Sequence, residues 1–85
     1  MSWELRTNKK LAKTLKSFPK KDRIRIYEVI SLIAIDPYQG DVQKMEGEKN
    51  CWRRRAGSYR IFYEIFLKER IILVFKIKRR TSNTY

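Results

Sequence analysis

Arginine is concentrated in one short stretch in the second half of the chain. The run CWRRRA contains Arg53 and Arg55, and Arg60 follows just beyond a Gly-Ser pair. If the chain reverses direction at that pair, Arg53 and Arg55 share one face of a strand and Arg60 lies just past the turn, so the three guanidinium groups converge. Their mutual repulsion costs folding free energy unless an anion binds between them. We therefore expect an anion-binding site, with a scissile phosphate as the natural ligand.

The same arginines have a second interpretation. Charged side chains on a strand discourage association between sheet edges, and a solvated edge also explains Arg53, Arg54 and Arg55. The C-terminal sequence KIKRRTSNTY leaves a similar choice. It combines cations that bind phosphate with a terminal ring on which a base could stack, although a frayed basic tail has the same composition. The residues concerned are Lys76, Lys78, Arg79, Arg80 and Tyr85.

The overall charge indicates a polyanionic partner. Lysine and arginine number 21 against 9 acidic residues, which gives a net charge of +12 with no histidine in the chain. Residues 51–85 contain ten basic and two acidic side chains, so this half carries +8 of that charge. Nucleic acid is the commonest polyanion for such a chain, but a membrane surface or an acidic protein would also be attracted. Charge alone does not choose among them.

Length and composition predict one folded domain over residues 1–85. The chain is too short to divide its core, and its 42% hydrophobic and 13% aromatic content argues against a disordered basic tail. A lone cysteine, Cys51, forms no internal disulfide, and we expect it to be a small buried residue because no histidine is present to activate it. With no apolar signal segment or membrane span in the sequence, a reducing cytoplasm is the expected location.

The first half of the chain predicts a strand and a helical hairpin. Alternation over residues 2–6 suits a short strand, and Thr7 or Asn8 then caps a helix over residues 9–18. Pro19 ends that helix, and the next begins near Asp22, where a carboxylate complements the unpaired amides. In the second helix Ile26, Val29, Ile30 and Ile33 follow a helical spacing. Four further apolar residues widen the apolar surface, so we expect the helix to be mostly buried; they are Ile24, Tyr27, Leu32 and Ile35. The helix ends at the turn of residues 36–41.

The second half predicts three antiparallel strands joined by short turns. They follow a brief strand or edge segment at residues 42–45 and are rich in aromatic and β-branched side chains. The fold class is α+β in the order β-α-α-β-β-β, with the helical hairpin covering one face of an antiparallel sheet. Alternation on the longest strand predicts five core side chains, namely Tyr59, Ile61, Tyr63, Ile65 and Leu67.

The motif CWRRRAGSYRIFYEI, the apolar strand ending in KRR and the closing tyrosine resemble RelE-type toxins of the RelE/ParE toxin–antitoxin superfamily. The resemblance spans nearly the whole chain. It implies a ribosome-dependent endoribonuclease that cuts mRNA in the ribosomal A site, beside 16S rRNA, by attack of the ribose 2′-hydroxyl. It also implies that no metal or cofactor takes part. The expected partner is an acidic antitoxin whose helix or strand covers the apolar surface and the basic site in an oligomeric complex.

By this resemblance, Arg53 and Arg55 match the paired basic positions and Arg60 the arginine that stabilises the phosphate. Tyr85 matches the base-stacking tyrosine, and Arg79 or Arg80 the acid. RelE-like proteins often have lysine at the paired positions, and a guanidinium, with a pKa above ~12, is a poor proton acceptor. Catalysis therefore relies on electrostatics and alignment, or another group takes the proton, for which the candidates are Glu48, Lys49 and Glu64.

Two alternative functions stay open at this stage. A ParE-like toxin shares the fold but poisons DNA gyrase, and it does not need a clustered cationic RNA site. A non-catalytic RNA-binding or ribosome-associated module would use the same basic patch to bind without cutting.

Overall fold

The structure is a computed structural model that describes residues 3–47 and 50–79. It confirms the predicted order of elements, with the edge segment after the helices forming a short strand. The elements are β1 (Glu4–Thr7), α1 (Lys9–Lys16), α2 (Lys20–Ile35), β2 (Val42–Lys44), β3 (Cys51–Ala56), β4 (Tyr59–Phe66) and β5 (Ile71–Arg79). The five strands form one sheet in the order β1-β5-β4-β3-β2. Neither described helix is long and apolar enough to span a bilayer.

Local signals set the limits of the two helices. Asn8 caps α1, since its side-chain oxygen accepts a hydrogen bond of 2.7 Å from the backbone N–H of Leu11. Pro19 is the first residue before α2, and its carbonyl accepts from the N–H of Arg23. The second helix therefore begins at Lys20, and Asp22 lies in its first turn, as predicted.

The direction of β1 corrects the expectation of a purely antiparallel sheet. β1 pairs in parallel with β5, from Glu4 opposite Ile71 to Thr7 opposite Val74, whereas every other pairing is antiparallel. Alternation in a strand shows which side chains are buried but not which strand lies beside it. The helical hairpin carries the chain from β1 at one edge of the sheet to β2 at the other edge. The strands β3, β4 and β5 then fill the sheet back toward β1, so the last strand of the chain lies beside β1.

The core lies between the helices and one face of the sheet, which we call the core face. Ile26, Val29, Ile30 and Ile33 of α2 are buried, and so are Tyr59, Ile61, Tyr63 and Ile65 on β4. The expectation that α2 is mostly buried is wrong, because its outer side carries four apolar residues that are each at least half exposed, namely Ile24, Tyr27, Leu32 and Ile35. The prediction for Leu67 is wrong, because it lies past the end of β4 and is 62% exposed. Cys51 is buried, as predicted.

A bulge in β5 changes which of its side chains face the helices. Tyr63 pairs with Val74 and Phe62 with Lys76, which leaves Phe75 as an extra residue between the two pairs. Strict alternation would place Lys76 on the core face with Val74. The extra residue instead buries Ile77 and moves Lys76 to the opposite side of the sheet, which we call the open face.

Candidate phosphate-binding site

The hairpin of β3 and β4 brings the predicted arginines together. Gly57 has a φ of +61° at the first position of the two-residue turn, which is the glycine position of a type II′ hairpin turn. This turn sets Arg55 directly opposite Arg60, and Arg53 opposite Phe62, one pair further along. Since directly opposed residues share a face, all three arginines lie on the open face.

The three arginines line one pocket of about 180 Å³ together with Asp41 and Gln43. The Nε of Arg55 donates to a carboxylate oxygen of Asp41 at 2.9 Å, and the guanidinium of Arg53 donates to the side-chain oxygen of Gln43. One carboxylate offsets one of the three guanidinium charges, so the pocket keeps an excess positive charge. Such a pocket suits a phosphate, whose oxygens accept charge-assisted hydrogen bonds from guanidinium groups.

Lysines of β5 extend the positive surface beyond this pocket. Lys78 lies opposite Arg60 and Lys76 opposite Phe62, with the Lys76 ammonium 5.4 Å from the centre of the Phe62 ring. The sequence placed Lys78 among the C-terminal cations that could bind phosphate, but strict alternation from Val74 would turn its side chain toward the helices. The bulge at Phe75 is the feature that places it beside Arg60.

The structure does not bring Arg79 to this pocket. Arg79 pairs with Tyr59 and so belongs to the core face, where its guanidinium carbon lies 5.8 Å from the centre of the Tyr59 ring. The Tyr59 hydroxyl donates to Asp22 at 2.7 Å. Burial, together with this hydrogen bond, raises the pKa of Tyr59, and the positive charge of Arg79 partly opposes that rise. Arg79 therefore takes part in closing the end of the core.

Comparison with known proteins identifies the family. The profile of the family described as ParE toxin of type II toxin-antitoxin system, parDE, matches residues 2–84. The chain belongs to this family. It is a RelE-type toxin of a type II toxin–antitoxin system, as the sequence motif predicted.

Individual relatives of this toxin agree with the assignment. RelE1 of Methanocaldococcus jannaschii, described as a candidate toxin, is 28% identical over 83 residues, covering 94% of this chain and 92% of that protein. The crystal structure of the RelE–RelB complex from Pyrococcus horikoshii OT3 matches with a TM-score of 0.83 and 30% identity, covering 98% of this chain and 100% of the other. The isolated Escherichia coli RelE toxin matches with a TM-score of 0.83 at 13% identity, covering 96% and 88%, and shows the shared fold.

The remaining predicted site residues of this toxin are not part of the described pocket. Arg80, Tyr85, Glu48 and Lys49 lie outside the described residues. Glu64 lies on the open face four residues from Arg60, which is roughly 13 Å along a strand at ~3.3 Å per residue. Glu64 lines a neighbouring groove and is not among the residues that line the three-arginine pocket.

Asp41, like Gln43, lines the pocket but was not predicted from the sequence. It lies in the loop before β2, and the pairing of β2 with β3 brings it beside Arg55, whose N–H donates to the Asp41 carbonyl at 3.1 Å. Only the flanking turn residues marked this segment in the sequence. A contact between residues 14 positions apart depends on the register of two strands, which the sequence did not specify.

Proposed function

We propose that this toxin is a metal-independent endoribonuclease that cleaves mRNA in the ribosomal A site. The observation that carries the proposal is the convergence of Arg53, Arg55 and Arg60 on one pocket of the open face. Three cations held together at the expense of folding free energy are accounted for by a ligand with concentrated negative charge. Membership of the RelE family favours RNA as that ligand.

In the proposed reaction the ribose 2′-oxygen forms a bond to phosphorus, and the bond from phosphorus to the 5′-oxygen breaks, which leaves a cyclic phosphate. Negative charge gathers on the phosphate oxygens in the transition state. The guanidinium groups of Arg53 and Arg60 are positioned to bind these oxygens, and fixed donors of this kind stabilise a transition state more than a ground state. Electrostatic stabilisation and alignment therefore supply most of the catalysis.

Two proton transfers complete the reaction. Asp41 is the carboxylate that lines the pocket, and we assign to it the proton of the 2′-hydroxyl. The departing 5′-oxygen needs a proton donor, and the ammonium of Lys78 beside Arg60 is the described group suited to that step. Arg80, outside the described residues, remains the donor predicted from sequence.

Cleavage by an Arg60→Ala variant tests the proposal. A defined mRNA is translated in a purified system with each protein, and the RNA ends are mapped. We expect the variant to cleave about 10²–10³ times more slowly, the usual loss when one donor to a developing oxyanion is removed. Arg25→Ala, which removes an exposed positive charge from α2, is the matched control and should cleave at the wild-type rate.

The same experiment separates the other functions. If wild-type protein leaves the mRNA intact but inhibits supercoiling by DNA gyrase, the protein is a ParE-like gyrase inhibitor. Binding to ribosomes without any cut would identify a passive RNA-binding module. Equal cleavage by the wild type and Arg60→Ala would remove the three-arginine pocket from the mechanism.

The solved complexes of RelE with RelB support an antitoxin as the partner of this chain. We propose that it docks on the outer surface of α2, where Ile24, Tyr27, Leu32 and Ile35 are each at least half exposed. Beside Leu32 and Ile35 lies Arg54, whose buried Nε has no hydrogen-bond partner in the described part of the chain. An acidic amphipathic segment would cover the apolar side chains and pair with Arg54.

Docking on α2 predicts a variant that keeps toxicity but escapes neutralisation. Ile35→Lys places a charge on the proposed surface, on the far side of the sheet from the three arginines. We expect unchanged cleavage by the free variant and loss of co-purification with the antitoxin of its own pair. Lys13→Ala, at an exposed position on α1, is the control and should still co-purify.

A further inference from the structure

A second groove on the open face adjoins the three-arginine pocket. It has a volume of about 380 Å³, and its apolar wall includes Met45, Leu73 and the rings of Phe62 and Phe75. The two ring centres are 6.5 Å apart, and the ring planes are inclined at 47°. Phe75 is the bulged residue of β5, so the same irregularity that moves the lysines to this face also builds the groove.

The groove is continuous with the phosphate site along β4. Phe62 lies directly opposite Arg53 and two residues from Arg60, which is roughly 6.6 Å along the strand at ~3.3 Å per residue, so the groove begins beside Arg53. A nucleotide whose phosphate binds the arginines can place its base at this distance. Lys76, over the Phe62 ring, adds a positive charge at the same place, which favours an RNA segment over an uncharged apolar peptide.

Glu64 gives the groove a hydrogen-bond acceptor. Its carboxylate lines the groove, and it makes no hydrogen bond or salt bridge with any residue in ranges 3–47 and 50–79. Within the part of the chain that the structure describes, this carboxylate therefore has no partner that would give it a role in stability. It is suited to accept hydrogen bonds from an exocyclic amino group, which adenine, cytosine and guanine possess and uracil lacks.

We propose that this groove holds the base next to the scissile phosphate, and that Glu64 selects bases with an exocyclic amino group over uracil. The inference rests on the proposed endoribonuclease function and names the specificity-determining residue of that site. The aromatic rings supply stacking, which tolerates every base, and Glu64 supplies the discrimination.

The test compares cleavage of messages that differ in a single nucleotide beside the cut. In the purified translation system, single-turnover rates are measured for messages with A, C, G or U on either side of the scissile bond. At one of the two positions beside the scissile bond, wild-type protein should cleave messages with A, C or G about tenfold faster than the message with U. Glu64→Gln should bring that ratio close to one, because the amide donates to the carbonyls of uracil.

Two further variants isolate the role of the groove. Phe75→Leu should lower the rate about tenfold for every base through the loss of stacking, with the preference over U retained. Glu69→Gln removes an exposed carboxylate from the turn between β4 and β5 and should match the wild type. If Glu64→Gln keeps the wild-type ratio, Glu64 does not read the base and the inference is overturned.

A binding measurement keeps this inference separate from the proposed function. Side-chain NMR signals of Phe62 and Phe75 are followed in the full-length protein during titration with non-cleavable trinucleotides. We expect shifts with AAA and much smaller shifts with UUU. Absence of cleavage alongside such shifts would refute the endoribonuclease and leave the groove as an RNA site. If the Phe62 and Phe75 signals do not change with RNA but shift when the antitoxin is added, the groove belongs to the protein partner and the inference is overturned.

Discussion

At the scale of single residues, the paired arginines change the chemistry that a RelE-type site can perform. A guanidinium group is a poor proton acceptor, so in the proposed reaction Arg53 and Arg55 bind the phosphate and another group takes the proton of the 2′-hydroxyl. The hydrogen bond between Arg55 and Asp41 brings a carboxylate to the same pocket. We propose that this carboxylate is the proton acceptor that the guanidinium groups do not supply.

Asp41→Asn tests that role. The amide oxygen still accepts from Arg55, but the side chain no longer takes up a proton, so we expect a rate of cleavage about 10²-fold lower, with RNA affinity nearly unchanged. Glu46→Gln removes an exposed carboxylate beyond the other end of β2 and should behave as wild type. A wild-type rate for Asp41→Asn would assign catalysis to electrostatics and alignment alone.

At the scale of elements, the bulge in β5 decides which surface is basic. The pairs on either side of Phe75 become consecutive if that residue is deleted, so Lys78 should stay opposite Arg60 and Ile77 in the core. We expect the deletion variant to fold, to keep the backbone NOE contacts between Arg60 and Lys78, and to cleave within about tenfold of wild type, the loss expected for one stacking ring.

An insertion in the same strand is the matched contrast. One alanine added between Lys76 and Ile77 turns Ile77 toward solvent and Lys78 toward the core. The loss of one buried isoleucine side chain costs about 1.5–3 kcal/mol, and burial of the ammonium adds to that cost. Urea unfolding should therefore show a much larger loss of stability for the insertion than for the deletion. Equal losses would contradict the assigned register.

At the scale of the whole molecule, Tyr63 ties the sheet to the loop after α2. It is completely buried, and its hydroxyl donates to the carbonyl of Pro37 at 2.5 Å. Burial raises the pKa of Tyr63 to about 12, and the positive charge of Arg54 partly opposes this effect. The folded protein thus retains a proton that an unfolded chain releases near pH ~10. The contribution of this group to stability is complete below pH 10 and is lost as the pH rises toward 12.

Tyr63→Phe should reveal this dependence. At neutral pH we expect a lower free energy of unfolding, by about 1–3 kcal/mol, because the Pro37 carbonyl loses its partner in a buried position. The difference between wild type and variant should shrink as the pH rises from 10 toward 12, since only wild type loses the contribution of the phenol. Urea unfolding of both proteins over this range measures it, and titration of the other tyrosines and the lysines cancels in the comparison. A difference that stays constant with pH would disprove the assignment.

The sequence by itself determined the order of elements, the core positions of α2 and β4, and the convergence of Arg53, Arg55 and Arg60. These features follow from local periodicity and from one short turn, so neighbouring residues carry the information. It also predicted the toxin family, because the motif on β3 and β4 is continuous in the chain.

Only the tertiary structure decided the parallel partner of β1, the bulge at Phe75, the separation of Arg79 from the site and the position of Asp41 in the three-arginine pocket. Each depends on how segments distant in sequence pair with one another. A single bulged residue moves every later side chain of its strand to the opposite face of the sheet, because side chains in a strand alternate with a period of two. The basic surface of β5 was therefore fixed by strand register, which no local pattern encodes.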